Sequence, residues 1–233
     1  MKVALLGYGK MGKAIEQIAK QRGHEIVIIA DIDTVYDINN ADVAIDFSIP
    51  SVAYSNISNC LNNQVPVISG TTGWLDDYDN AVALCKEKNG AFISASNFSL
   101  GVNIFFELNR TLAKMMTHLN QYNIDMEEIH HTQKLDAPSG TAISLAKDII
   151  EEHSSYKQWR LNEKHEASIP IVSKRLENVP GTHTVNYNSA VDSINIKHTA
   201  HNRDGFALGA VIAAEWILGK TGVFTMKDVL NIG

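Results

Sequence analysis

The chain begins Lys2-Val-Ala-Leu-Leu-Gly7-Tyr8-Gly9-Lys10-Met11-Gly12, an apolar run that leads directly into three glycines spaced G-x-G-x-x-G. The run reads as a strand buried on both faces, and Met11, Ile15, Ile18 and Ala19 then recur at helical spacing. In a strand-to-helix setting each glycine has a task. Gly7 permits the tight turn, Gly9 lets backbone approach a pyrophosphate, and Gly12 allows close packing of helix on strand. The helix N-terminal amides receive the phosphate charge. Asp31 stands 19 residues after Gly12, at the end of the next strand, where a carboxylate accepts hydrogen bonds from ribose hydroxyls. This favours NADH over NADPH, although Lys10 or Lys13 could swing toward a 2'-phosphate, so NADH and NADPH both stay open. The plain alternative is a tight turn with a solvated Asp31.

Working outward, short Val- and Ile-rich runs at 26–30, 43–47, 65–69 and 91–95 alternate with helical spacing over 51–62 and 74–88. Alternating strand and helix predicts a parallel sheet, whose ligand edge is the carboxyl end of its strands. Gly70-Thr71-Thr72-Gly73 and Ser96-Asn97-Phe98-Ser99 fall at that edge, where backbone groups and Asn97 would bond a nicotinamide carboxamide. Ordinary turn chemistry is the competing reading.

After residue 100 the rhythm changes. A helix is expected over 102–118, a strand over 124–131 and a helix over 141–152, followed by a polar, aperiodic connection at 154–168. Strands near 169–175, 182–187 and 192–200 are separated only by turns, which is antiparallel or mixed-sheet behaviour. An apolar helix over 206–218 precedes a Gly219-Lys-Thr-Gly222 stop and a short tail. The expected architecture is α/β: an N-terminal Rossmann-type parallel sheet, formed by 1–100 plus 206–233, with a second α+β domain of mixed or antiparallel sheet over 101–205.

Composition narrows the function classes. The 233 residues are 45% apolar, enough for a core without staples, and 20 Lys and Arg against 26 Asp and Glu give a net charge of -6. Without a broad basic field, nucleic acid and anionic membranes are poor partners. Cys60 and Cys85 form neither a C-x-x-C pair nor a metal-like cluster, which points to a reducing cytoplasm. No signal peptide or membrane span is expected, since the longest apolar run, 207–219, is interrupted by Glu215.

The densest polar stretch is Glu128-Ile-His130-His131-Thr-Gln-Lys134-Leu-Asp136-Ala-Pro138-Ser139-Gly140-Thr141, leading from a predicted strand into a predicted helix. Adjacent strand residues face opposite sides, so a zinc site here would need ligands from elsewhere and no metal is expected. The helix start at Ser139, Gly140 and Thr141 exposes amides on which a carboxylate could dock; an ordinary N-cap is the alternative for Ser139. Lys134 supplies a cation and a proton source beside that pocket, as a reaction adding hydride and a proton to an unsaturated acid requires. Arg203 precedes the last helix and could clamp a carboxylate or hold a hinge.

Together these motifs, with Asp46-Phe-Ser48, Gly70-Thr-Thr-Gly73, Asn97 to Asn103 and Phe206-Ala-Leu-Gly-Ala210, resemble the 4-hydroxy-tetrahydrodipicolinate (dihydrodipicolinate) reductase family across nearly the whole chain. The resemblance implies an oxidoreductase of the diaminopimelate route to lysine, acting on a cyclic dicarboxylate. It implies that His130 and Lys134 are catalytic and that His131, Gly140 and Thr141 contact substrate, with Ser139 and Arg203 as further candidates. It places the cofactor against Gly7, Tyr8, Gly9, Lys10, Met11, Gly12, Asp31, Gly70, Thr71, Thr72, Ala95, Ser96, Asn97 and Phe98. A homotetramer assembled through the second domain's sheet is also implied. Ile32 stands where many members carry a basic residue, which weakens a preference for NADPH, and the chain looks shorter than many members.

Overall fold

The strand that opens the chain, β1 (Lys2–Leu6), alternates its side chains between two cores. In the computed structural model, which describes residues 1–31, 34–202 and 204–232, Val3 and Leu5 enter one cluster while Ala4 and Leu6 enter another. A strand so placed must be covered by helices on both faces. Ile32, Asp33, Arg203 and Gly233 lie outside the described residues.

Backbone contacts divide the chain into a first unit of Met1–Asn103 with Asp204–Gly233 and a second unit of Ile104–Arg203. In the first unit, β1 is followed by α1 (Lys10–Gln21), β2 (Glu25–Ala30), β3 (Val43–Asp46), α2 (Pro50–Asn62), β4 (Val67–Ser69), α3 (Tyr78–Glu87) and β5 (Ala91–Ser94). After the second unit the chain returns as α6 (Asp204–Ile217), β11 (Gly222–Phe224) and α7 (Met226–Leu230). The six strands lie in the order β2-β1-β3-β4-β5-β11, and every neighbouring pair is parallel. Ile15 and Ala19 of α1 and the small residues of α6 cover one face; Ile57, Cys60 and Leu61 of α2 and Ala81 and Cys85 of α3 cover the other. Strand order reverses at β1, and that switch point is where open α/β sheets bind ligands.

Glu215, which breaks the apolar run of α6, is held by Arg22 through Nε and a terminal nitrogen at 2.7 Å each, and by His24 Nε2 at 2.6 Å. It ties the end of α1 to α6.

The second unit contains α4 (Leu100–Met116), whose first turn begins in the first unit, then β6 (Asn123–His130), α5 (Gly140–Glu152), β7 (Gln158–Leu161), β8 (Ser168–Arg175), β9 (Gly181–Asn188) and β10 (Ser193–Ala200). Its sheet has the order β10-β9-β6-β8-β7. It is mixed: β9 runs antiparallel to β6 and β10, while β8 runs parallel to β6 and β7. One face packs on Phe105 and Met116 of α4 and Leu145 and Ile149 of α5.

Two expectations are corrected. The 154–168 connection contains β7, an edge strand whose half-exposed Gln-Trp-Arg-Leu pattern carries no apolar signature because only one side of it is covered. The tail after Gly219 contains β11, three residues that become a strand by pairing with β5; Phe224 is fixed edge-on against Trp216 at 5.1 Å.

Gly209 of α6 meets the carbonyl of Phe98, where an added Cβ would lie 1.7 Å from the oxygen. Gly209→Ala must push α6 off the loop after β5, a strain of about 1–3 kcal/mol. Thermal unfolding is expected to shift down by several degrees, and an unchanged midpoint would refute this packing.

Candidate active site

At the switch point the three glycines of the first loop differ physically. Gly7 has φ +95°, and an added Cβ would sit 2.2 Å from the Phe47 carbonyl; at Gly12 it would sit 2.3 Å from the Gly7 carbonyl. Gly9 has nothing within 4 Å. Gly7 and Gly12 therefore shape the loop, while Gly9, the N-cap of α1 with no side-chain cap, leaves backbone open to a ligand. The first-turn amides of α1 have no intrahelical acceptor and no acidic side chain beside them. These features suit a pyrophosphate.

A cavity of about 490 Å³ adjoins this loop, lined by Gly7, Tyr8, Gly9, Asp31, Thr34 and Asn56 among others. Of the remaining cofactor candidates here, Lys10 is exposed and Met11 packs against the core, while Tyr8 hydrogen-bonds Glu16. A second cavity of about 490 Å³ is lined by Thr71, Thr72, Ser94, Ala95 and Ser96. At Gly70 an added Cβ would strike the Phe47 ring at 2.3 Å. Asn97 Oδ1 accepts from the Ser99 amide at 2.9 Å, so this oxygen shapes the turn into α4. The Phe98 ring is a core element packed 5.7 Å from that of Phe47.

The loops are knitted together by Asp46 at the end of β3, which is fully buried. Ser48 Oγ and Asn56 Nδ2 donate to its Oδ1 at 2.7 and 2.9 Å, and Ser69 Oγ and Thr71 Oγ1 donate to its Oδ2 at 2.8 and 2.7 Å. Four donors offset the cost of burying one carboxylate, and one residue sets the mutual position of the loops after β3 and β4.

In the second unit the candidate chemistry grows out of strand register. The buried face of β6 carries Ile124, Met126, Glu128 and His130 in alternation. Met126 pairs with Ile171 on β8 and Val185 on β9; one step along, Glu128 pairs with Ser173 and His183; the next step sets His130 against Arg175. Row by row the same face passes from hydrocarbon to a polar cluster. Gly181 of β9 borders the His130 ring, and an added Cβ there would lie 3.1 Å from Nε2.

Glu128 is 0% exposed. Ser173 Oγ donates to its Oε1 at 2.8 Å, and both terminal nitrogens of Arg175 reach the same oxygen at 3.2 Å. His130 Nδ1 stands 3.0 Å from Oε2, at ion-pair distance but outside hydrogen-bond alignment, and His183 Nε2 is 3.8 Å from the same oxygen. Burial pushes the Glu128 carboxyl up, but the side chains of His130, Ser139 and Ser173 and the charge of His130 hold it well below the usual carboxylate range. Burial, aided by the neighbouring His130, pushes His183 down to about 4, so it is neutral at pH 7. The donor atoms of Glu128, His130 and His183 lie within 4.8 Å of one another. Because Arg175 already places positive charge on this carboxylate, we read the group as an ion-paired cluster. Removing one partner of such a buried pair costs about 3–5 kcal/mol.

Lys134 Nζ pairs with Asp136 Oδ1 at 2.8 Å, and its amide closes a turn on the His131 carbonyl at 3.1 Å. His131 Nδ1 is buried without a hydrogen-bond partner among the described residues. Ser139 is the N-cap of α5: its Oγ accepts from the Ala142 amide at 3.2 Å and lies 3.0 Å from His183 Nε2. Gly140 and Thr141 form the first turn of α5, with amides that precede the intrahelical ladder. Strand register and this cap bring His130, Ser139, Glu128 and His183 together, and Arg175 ties in the Lys134 loop. Arg203 and Ile32 fall outside the described residues.

The dihydrodipicolinate reductase N-terminus model matches residues 1–98 and the C-terminus model matches residues 101–230. The chain belongs to the dihydrodipicolinate reductase family. A 4-hydroxy-tetrahydrodipicolinate reductase from Christiangramia forsetii is 60% identical over 99% of this chain and 98% of its own length. One from Thermosipho africanus is 34% identical over 99% and 98%. Among solved structures, a dipicolinate-bound dihydrodipicolinate reductase from Paenisporosarcina sp. TG-14 shares the fold, with TM-score 0.81 and 24% identity over 97% of each chain. The parallel sheet of this reductase family member is Rossmann-like, a fold that supports NAD(P) binding.

Several residues that organise these two clusters have no role assigned from the sequence alone: Asp46, Glu128, Ser173, Arg175 and His183. A signal for three of them exists. Ser173 and Arg175 are in phase with Ile169 and Ile171, and His183 with Val185 and Tyr187, so period two already places them on the core face.

A group whose folded pKa lies below its unfolded value stabilises above the unfolded pKa, and that contribution is lost as pH falls through the folded one. For His183 the window runs from about 6.5 down to about 4, worth about 3 kcal/mol; the lowered Glu128 extends the loss below its ordinary 4.5. Unfolding followed against pH is expected to show this decline, and His183→Gln is expected to flatten it. Equal slopes in both proteins would contradict the neutral burial of His183.

Proposed function

We propose that this chain catalyses the NAD(P)H-dependent reduction of 4-hydroxy-tetrahydrodipicolinate to tetrahydrodipicolinate with loss of water, in the diaminopimelate route to lysine. The observation that carries the reading is the 60% identity with a reductase of that name over 99% of the chain, which spans both the glycine loop and the His130–Thr141 segment. The first unit is then the dinucleotide-binding domain, and the second binds substrate and mediates assembly.

Bound NAD(P)H supplies a hydride to an unsaturated ring carbon. Gly9 and the amides of α1 hold its pyrophosphate and Asp31 its adenosine ribose, a combination that favours NADH while leaving NADPH usable. The loops at 70–72 and 95–98 hold the nicotinamide end. In the second unit the amides of Gly140 and Thr141 receive a substrate carboxylate, with Ser139 keeping the helix start open, and His131 and Arg203 assist. Lys134 delivers the proton that balances charge as hydride arrives, and His130 donates or accepts a proton beside it. A rival acylating dehydrogenase would need a thiolate nucleophile; Cys60 and Cys85 are buried, and burial pushes both thiols up.

Among the described residues no helix is long and apolar enough to cross a membrane, and the two buried free cysteines fit a reducing cytoplasm. Nucleic acid and membrane are not partners in this reading. The exposed strand β10, with Ile194 on it and Val172 on β8, fits a homotetramer built through the mixed sheet; sedimentation equilibrium is expected to give four copies, and a monomer mass would remove that assignment.

The direct test condenses pyruvate with aspartate semialdehyde in situ and follows absorbance of NADH and of NADPH. Turnover is expected with the wild type, a fall in kcat of about 100-fold or more in Lys134→Ala with cofactor affinity retained, and a larger loss in His130→Gln than in His131→Gln. Near-normal turnover in Lys134→Ala would make Lys134 a surface residue, and tight NADH binding without wild-type turnover would overturn the reaction.

A further inference from the structure

We infer that Arg175 is a positioning residue for this reaction, joining the carboxylate beside His130 to the backbone of the loop that carries Lys134. The inference rests on the reading of His130 and Lys134 given above. Arg175 is the last residue of β8, opposite His130 in the parallel register. Its two terminal nitrogens lie 3.2 Å from Glu128 Oε1; Nε donates to the Lys134 carbonyl at 3.2 Å, and one terminal nitrogen donates to the Asp136 carbonyl at 2.6 Å. The remaining donor meets its neighbour's carbonyl, that of Lys174, at 2.8 Å.

A planar guanidinium has five donors in a fixed fork, and a lysine ammonium at the same position cannot span a carboxylate and two separate carbonyls at once. One side chain thus sets where the 131–136 loop lies relative to β6, and with it the place from which Lys134 starts. The polar ends of His130 and Lys134 are not on a common element, so without such a bridge their separation would vary with every motion of the loop. Misplacement of a reacting group by an ångström is enough to cost about 100-fold in rate.

Arg175 also sets the field. The charged and titratable groups around the Arg175–Glu128 pair are His130 on β6, His183 on β9, and Lys134 and Asp136 in the loop, with His198 on β10 paired across from His183. With the guanidinium gone, the negative charge of Glu128 acts more fully on His183, whose Nε2 is 3.8 Å from it, and favours its protonated form.

The experiment measures kcat, KM for each substrate, and the pH dependence of kcat/KM in the full-length wild type, Arg175→Lys, Arg175→Gln and Glu128→Gln. Both Arg175 variants are expected to lose about 10- to 100-fold in kcat with KM for the nucleotide unchanged. The limb of the profile that follows the Glu128 cluster is expected to move up by about one pH unit in Arg175→Gln, to stay in place in Arg175→Lys, and to move down in Glu128→Gln. A structural role alone would lower activity in all three without opposite shifts. Arg175→Gln and Glu128→Gln profiles that both coincide with the wild type, or Arg175 variants that keep wild-type kcat, overturn the inference. Should Arg175→Gln fail to fold, the contrast between Arg175→Lys and Glu128→Gln decides in the same way. Absence of turnover in the wild type instead removes the underlying reaction, and the two failures are told apart by that control.

Discussion

A carboxylate with no access to solvent, Glu128, lies on the face of a sheet whose preceding rows are hydrocarbon. Burial of an unpaired carboxylate is among the costliest things a fold can contain, so its surroundings are tightly constrained. Ser173 and Arg175 must come from β8, His183 from β9 and His130 from β6 itself. The mixed topology is what brings them there: β6 has a parallel neighbour on one side and an antiparallel neighbour on the other, so residues far apart in sequence share a row. Ser139 closes the group from the start of α5 while capping that helix. The stability of the unit and the placement of its candidate reactive groups depend on the same contacts.

The first unit solves a different problem with backbone. Its ligand edge is shaped by missing Cβ atoms at Gly7, Gly12 and Gly70, each facing an atom that a side chain would strike. Gly9, which faces nothing, leaves the backbone open there. Asp46 serves this edge much as Glu128 serves the other site: a buried carboxylate saturated by short polar side chains from three successive segments. Both units thus use a carboxylate buried at or near the end of a strand to fix the loops beside it.

The sheets were legible wherever burial wrote a period. The strands of the first unit, covered on both faces, read as continuous apolar runs, and β6, β8, β9 and β10 fell close to their expected positions. The elements that were not legible are those whose strand character comes from a neighbour. β7 is polar and half-exposed at an edge, and β11 has three residues; neither buries enough on its own to leave a pattern. The site divides in the same manner. His130, Lys134, Ser139, Gly140 and Thr141 sit in one contiguous segment rich in turn and helix-start signals, whereas Arg175 and His183 lie on strands 45 and 53 residues beyond His130.

What the sequence determined by itself is therefore local: a strand-glycine-helix unit with an acidic residue after the second strand, a polar segment entering a helix, and turn-linked strands of an antiparallel or mixed sheet after residue 100. These follow from backbone sterics and side-chain period, which act over a few residues. Only the tertiary structure decided which strands become neighbours, that Glu128 is buried rather than solvated, and that Arg175 and His183 converge on it. Electrostatic partnership depends on distance in space, and strand register sets that distance through hydrogen bonds between segments far apart in the chain.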